Sequence, residues 1–442
     1  MPTPLKSVGR LAGPAIAQQL LHTLVFLVDR ALLGHHDAAS LASMQISGPV
    51  VWSATTILGA FTVGVVAVVG RRIGASDGPG ASAALRASLL FALVVGGLAF
   101  GLGLLSRAPL LGLFPEAGPA VWAEADGYLT VAFATMPALL LSLTLAMAVQ
   151  AAGDTRTPFL VAAVGNLLNV AVSYALIYGA WGAEPMGARG AAIGSAVAFG
   201  WQAVALGAFT ASTRAPVSWR RAGAVFDREA LRRVLRIAGP SLAERILQQI
   251  GFMAYVTMIG ALGATAMGAN QALIGIEAIV FLSADGLGIA TAAVVAQRLG
   301  ASEPSDARAA LHGGLRLSTV FLGAIGVLFL VLPEPLLRPF TDDPELIALA
   351  LPCLAVAGFA APIMGAAVVA SAALRGAGDT HAVLWVTFFG GLVVRLGATY
   401  LAAFVWDLGL VGVWIGSTLD WVVRAVLLLA LARGPGWLSR PV

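Results

Sequence analysis

One carboxylate in this chain sits where a charge is expensive. Asp29 follows Phe26, Leu27 and Val28 about twenty residues into the first long apolar run. A charged side chain at the centre of a bilayer costs about 2.5–3.5 kcal/mol on insertion scales, so it is expected to face a cavity or a partner. A carboxyl group withdrawn from water favours its neutral form, and one reached by water its charged form. A proton coupler needs that alternation between two access states. A structural ion pair is the competing explanation. Adjacent Arg30 is poorly placed to supply it, because neighbours on a helix point apart, and it is expected to snorkel outward.

Polar residues that can serve such a group lie on other apolar runs. Asn166 and Asn169 are three apart and share a helical face, with Ser173 one turn on and Ser195 in the next run. Asparagine can hydrogen-bond either protonation state of a carboxyl group, which suits a relay. Each could instead join two helices, a contact worth about 0.6 kcal/mol. Gln18 and Gln19 fall under the second account, and His22, two turns before Asp29, is a possible proton shuttle. The second half of the chain buries more charge: Glu244, Arg245, Glu277, Asp285, Arg395, Asp420 and Arg424 all fall within apolar runs. Asp420 and Arg424, at i,i+4, are expected to pair. Arg395 is expected to satisfy Asp285 or Glu277, which makes these residues structural or gating pairs; a second substrate or ion site is the alternative.

Other chemistry is poorly served. His35 and His36 have no companions at metal-ligand spacing, Cys353 is the single cysteine, and no nucleophile–base set occurs at usable spacing. Neither an enzyme nor a bound cofactor or metal is expected. The Gly-Asp-Thr strings at 153–155 and 378–380 lack the preceding strand and the lysine of a phosphate cradle, and suit helix-end turns better.

The elements that position these residues follow from composition. Hydrophobic residues make up 59% of the 442 residues and charged ones 11%, against about 25% charged in a soluble domain. Lipid must cover what no interior can hold. Twelve spans are expected, near 10–34, 47–70, 85–105, 126–151, 158–180, 188–211, 236–261, 268–295, 314–332, 348–373, 382–405 and 409–432. The formal charge of +4 does not point to nucleic acid, because the basic residues sit in short loops. They favour one side: Arg71, Arg72, Arg156, Arg298 and Arg375 there, against Arg107, Arg189 and Arg338 opposite. That bias predicts both termini in the cytoplasm.

The chain also repeats itself. Arg10-Leu-Ala-Gly-Pro14 returns as Arg236-Ile-Ala-Gly-Pro240, and Arg72-Ile-Gly-Ala-Ser76 as Arg298-Leu-Gly-Ala-Ser302. Gly153-Asp154-Thr155 returns as Gly378-Asp379-Thr380, and Ile193-Gly194-Ser195 as Ile415-Gly416-Ser417. Four matches in one order imply an ancestral six-helix unit. Six spans per copy give parallel repeats about an axis along the membrane normal, with a central cavity between them. The predicted domains are 1–212, a cytoplasmic linker over 213–235 rich in arginine, and 236–442. At the first of these shifts, the counterpart of Asp29 is Tyr255.

These strings resemble the multidrug and toxic compound extrusion (MATE) transporters over essentially the whole chain. The resemblance rests on Gly13-Pro14 with Leu27-Val28-Asp29, on Gln150 to Arg156, and on Ala373 to Thr380. Ala284-Asp285-Gly286-Leu287 resembles the DinF-like branch. What the resemblance implies is a secondary antiporter exporting amphipathic, often cationic, organic compounds by alternating access, with Pro14 as a hinge. It further implies a monomer in the bacterial inner membrane, driven by proton influx at Asp29, Asn169, Asn166, Ser173 and Ser195. The chain departs from the family's NorM-like branch: Gln248 stands where an acid is kept in the seventh helix, and the tenth helix has no carboxylate. Substrate or gating roles are therefore assigned to Asp285, Glu277, Gln248, Arg395 and Tyr255. Sodium coupling is one alternative. A lipid-linked saccharide flippase of the same superfamily is the other, although twelve spans and no central arginine in the first half weigh against it.

Overall fold

Long apolar runs in lipid must satisfy their own backbone, which a helix does within one segment. The computed structural model describes residues 3–115, 118–212, 215–221, 226–341 and 343–440, apart from a few side chains, that of His22 among them. Among the described residues every regular element is helical, and ten helical segments are long and apolar enough to cross a membrane. Two more long helices, α1 (Pro4–His36) and α8 (Arg228–Gly260), occupy the places of the first and seventh expected spans. The chain is thus an all-α polytopic membrane protein of twelve spans.

The chain forms two compact units. One comprises residues 17–235, the other residues 1–16 with 236–442. The division falls inside α1, two residues after Pro14, where hydropathy shows no break. The stretch 213–235, expected to link the two halves, is packed where it is described. The described part of this stretch belongs to the first of these units: Arg86 donates from Nη1 to the carbonyls of Trp219 (3.2 Å) and Arg221 (2.7 Å), and Trp219 Nε1 donates to Gly207 O (3.0 Å). From residue 228 onward the stretch is already α8.

Residues 17–235 hold the remainder of α1 with α2 (Ala38–Gly59), α3 (Thr62–Gly74), α4 (Gly78–Leu111), α5 (Gly118–Ala151), α6 (Arg156–Tyr178) and α7 (Gly187–Ala211). The other unit holds α8 from residue 236 onward, α9 (Ala264–Gly300), α10 (Pro304–Val331), the short α11 (Pro333–Leu337), α12 (Pro344–Gly376) and α15 (Gly409–Arg433). Its eleventh span, over 380–405, is mixed. Short α-helices α13 (Thr380–Thr387) and α14 (Arg395–Tyr400) alternate with π-helical stretches Phe388–Val394 and Leu401–Val405. Such wide turns recur at functional sites, and Arg395 lies between these two.

The repeated strings have specific jobs. Ser76 and Ser302 both adopt positive φ, +57° and +61°, closing equivalent turns before α4 and α10. In the first, Arg72 pairs with Asp77 (2.5 Å), which also caps α4 by accepting from Gly80 N (2.8 Å). In the second, Arg298 holds Glu303 (2.6 Å) and Asp306 (2.8 Å). Gly153 (φ +94°) and Gly378 (φ +91°) take the left-handed turn that favours glycine, so the Gly-Asp-Thr strings are helix-end turns as expected. Asp154 then caps α6 by accepting from the backbone N–H of Arg156 and Thr157, both at 3.0 Å.

The Ile-Gly-Ser strings bring helices together. A Cβ on Gly194 would come within 2.9 Å of Asn169 O, and one on Gly416 within 2.5 Å of Thr399 N and 2.7 Å of its Cα. Backbone cannot yield there as a flexible side chain can. Gly416→Val is therefore expected to cost about 1–3 kcal/mol by overpacking and to lower the unfolding temperature in detergent. Gly323→Val, at a position with nothing within 4 Å, should leave that temperature nearly unchanged; equal effects from the two would contradict this packing.

Candidate functional site

In the unit formed by residues 17–235, the close approach of α7 to α6 at Gly194 sets Ser195 against Asn169, whose Nδ2 donates to Ser195 Oγ at 3.1 Å. Asn169 and Ser173, one turn apart on α6, are both fully buried. The Asp29 carboxyl of α1 lies within polar reach of Ser173, Asn169 and Ser195. Four of the five residues expected to couple protons thus meet at one point. Asn166 is set apart: it donates to Leu21 O (3.4 Å) and lines a cleft of about 250 Å³ with Leu24, Val28 and Leu167.

The cluster is under-satisfied in a particular way. Asp29 Oδ1, Asn169 Oδ1 and Ser173 Oγ are all buried without a hydrogen-bond partner. Two of these are acceptors and one can donate. The Asn169 amide is oriented by its bond to Ser195, which leaves its oxygen an acceptor without a donor. A proton on Asp29 would supply the missing donor, and unsatisfied buried polar groups cost about 1–3 kcal/mol each.

Tyr128 carries no signal in the sequence. It lies on α5 close to both Asp29 and Arg30; nothing in its spacing marks it, since a tyrosine in an apolar run looks like core. Arg30, expected to snorkel, is half-buried. Gln18 bonds Gln150 (2.8 Å), an α1–α5 link as supposed. The His22 side chain lies outside the described residues.

The other unit has a different arrangement. Asp420, fully buried, accepts from Arg395 Nε (2.9 Å) and from Arg424 Nε (2.6 Å) and Nη2 (2.9 Å). The expected Asp420–Arg424 pair is present, but the ion-pair partner of Arg395 is Asp420, not Asp285 or Glu277. Spacing could not reveal this, because α15 packs on the eleventh span and presents Asp420 to both arginines. The Arg395 guanidinium also lies over the rings of Tyr255 (5.5 Å) and Trp421 (5.6 Å), with Glu277 close enough to feel its charge. Gln248 belongs to another group, donating to Glu244 (3.3 Å) and accepting from Arg245 (3.4 Å). Glu244 also accepts from Thr387 (3.1 Å) and pairs with Arg375 (3.4 Å). Asp285 is half-buried on α9. Pro14 lies well inside α1 and does not start it.

Duplicated helical halves that bury polar groups within long apolar helices define an α-helical membrane transporter. Comparison with known proteins narrows this. The sequence matches the MatE family over residues 14–175 and again over 240–401, two matches that stand at the repeat's own spacing. Among relatives, a probable multidrug resistance protein NorM of Pseudomonas putida is 30% identical, covering 98% of this chain and 95% of that protein. Another of Thermotoga maritima is 27% identical, covering 99% and 94%. A solved structure described as the outward-facing conformation of a multidrug resistance MATE family transporter of the MOP superfamily superposes with a TM-score of 0.90 at 21% identity. It covers 98% of this chain and 95% of that one. The chain belongs to the MatE family of membrane transporters and is not an enzyme.

Proposed function

We propose that this protein exports amphipathic, often cationic, organic compounds by alternating access, in exchange for protons that bind at Asp29. The observation that carries this reading is the buried, unpartnered Oδ1 of Asp29 in a cluster that also leaves Asn169 Oδ1 and Ser173 Oγ without a partner. An ionised carboxylate is served by hydroxyl donors, Ser173 and Ser195. A protonated one becomes a donor and has Asn169 Oδ1 to receive it. The two charge states thus draw on different partners, from α6 and α7 in one case and from α6 alone in the other. Protonation would shift how α1 seats on those helices and release substrate outside. The names of the curated relatives support multidrug compounds as the substrate class.

Pro14 is proposed as the hinge. Its missing N–H breaks the α1 ladder at the carbonyl of Arg10, and the division between compact units falls two residues later. Both termini are taken to be cytoplasmic from the arginine bias, in the inner membrane of a bacterium, and the transporter to act as a monomer. The DinF-like assignment belongs to the same proposal and rests on the acid in α1 and the Ala284–Leu287 string. A flippase would need arginines available to hold pyrophosphate, whereas Arg395 and Arg424 are both engaged by Asp420.

The test is accumulation of ethidium in proteoliposomes under one imposed ion gradient at a time. A proton gradient should drive it and a sodium gradient should not. Driving by sodium alone would replace proton coupling with the sodium alternative. In the same assay Pro14→Ala should slow proton-driven transport without lowering the unfolding temperature; an unchanged rate would remove the hinge.

A further inference from the structure

We propose that the groove between the first turn of α1 and α10 binds the phosphate headgroup of an anionic glycerophospholipid, with an acyl chain lying along α10. The groove, of about 430 Å³, is lined by Thr3, Pro4, Leu5, Ala309, His312, Gly313 and Arg316, all within one compact unit. The two helices are in close contact there: a Cβ on Gly313 would meet Leu5 Cα at 3.3 Å, and one on Gly9 would meet Leu317 at 3.9 Å. The walls are therefore fixed by packing.

Charge and shape together point to this ligand. His312 and Arg316 are one turn apart on the same face of α10, both exposed, and Lys6 and Arg10 are exposed on the adjoining stretch of α1. None of these four side chains has an ion-pair partner among the described residues, and no carboxylate lines the groove. An anionic phosphate is matched there. The ammonium of a zwitterionic headgroup has nothing to meet it. Beyond Arg316 the same face of α10 continues as Val320, Val327 and Val331, which are 74%, 58% and 68% exposed. Gly323 between them has nothing within 4 Å of the position a Cβ would take. A basic ledge above an apolar stripe with a shallow slot suits a headgroup with its chain attached. A soluble anion would leave the stripe unused. Each basic residue near such a surface strengthens anionic-lipid binding by about fivefold.

The test titrates the purified full-length protein in detergent with dioleoylphosphatidylglycerol, dioleoylphosphatidylcholine or inorganic phosphate, reading unfolding temperature and lipid adducts by native mass spectrometry. Phosphatidylglycerol should raise the unfolding temperature saturably and persist as a bound lipid, while the other two should not. Arg316→Gln should weaken that binding about fivefold, with Arg316→Lys retaining it. Arg232→Gln, which removes an exposed charge elsewhere, should bind as the wild type does. Equal stabilisation by phosphatidylcholine or by inorganic phosphate would overturn the proposal, as would equal losses in Arg316→Gln and Arg232→Gln. The comparison of the three ligands on the wild type decides the matter even if Arg316→Gln does not fold.

Discussion

Asp29→Asn is expected to abolish ethidium accumulation driven by a pH gradient while leaving the fold intact. For one proton exchanged per substrate, each pH unit of gradient supports about a tenfold concentration ratio, because one unit is worth about 1.36 kcal/mol. The variant should bring that ratio to one. Asparagine fills the same space and can still hydrogen-bond Ser173 and Ser195, so packing around α1 is preserved. What is lost is the change of charge. Unfolding temperature should stay close to wild type, since the wild-type carboxyl already has one oxygen without a partner. Undiminished pH-driven transport in the variant would remove Asp29 from the coupling step.

The opposite pattern is expected at Asp420. Asp420→Ala would leave the guanidinium groups of Arg395 and Arg424 facing each other in a buried site with no counter-charge. Breaking a buried pair in this way typically costs about 3–5 kcal/mol, and here one carboxylate serves two arginines. The variant should unfold at markedly lower temperature or fail to accumulate. Asp420→Asn, which keeps the shape and loses the charge, should be nearly as damaging. A wild-type unfolding temperature for both variants would show that the network carries little stability. Together the two substitutions separate a carboxylate kept for function from one kept for structure, although each is a lone acid in an apolar run.

Much of this was legible in the residues. The four repeated strings announced the duplication, and two of them mark turns whose backbone needs a left-handed residue. The fourth string, Ile-Gly-Ser, marks the close helix approach that sets Ser195 beside Asn169. Asp29 stood out because a charge in lipid is costly wherever it lies. Other features were hidden for physical reasons. The partner of Arg395 depends on which helices pack together, and an i,i+4 pair such as Asp420–Arg424 looks complete by itself. The division inside α1 leaves no trace in hydropathy, because the run is apolar on both sides of residue 16. Tyr128 had no signal, since its type is common in apolar cores. The π-helical turns around Arg395 were equally silent, as their sequence is an ordinary apolar one.

The most direct test of proton exchange at Asp29 needs no gradient. Ethidium is added to the purified protein in weakly buffered detergent, and the protons released are followed with a pH indicator across a series of starting pH values. Wild type should release protons on binding, up to about one per molecule where the carboxyl starts neutral, with the release vanishing at alkaline pH where it starts ionised. Asp29→Asn should bind ethidium and release none. Binding by the wild type without proton release at any pH, or equal release by the variant, would contradict the exchange of proton for substrate.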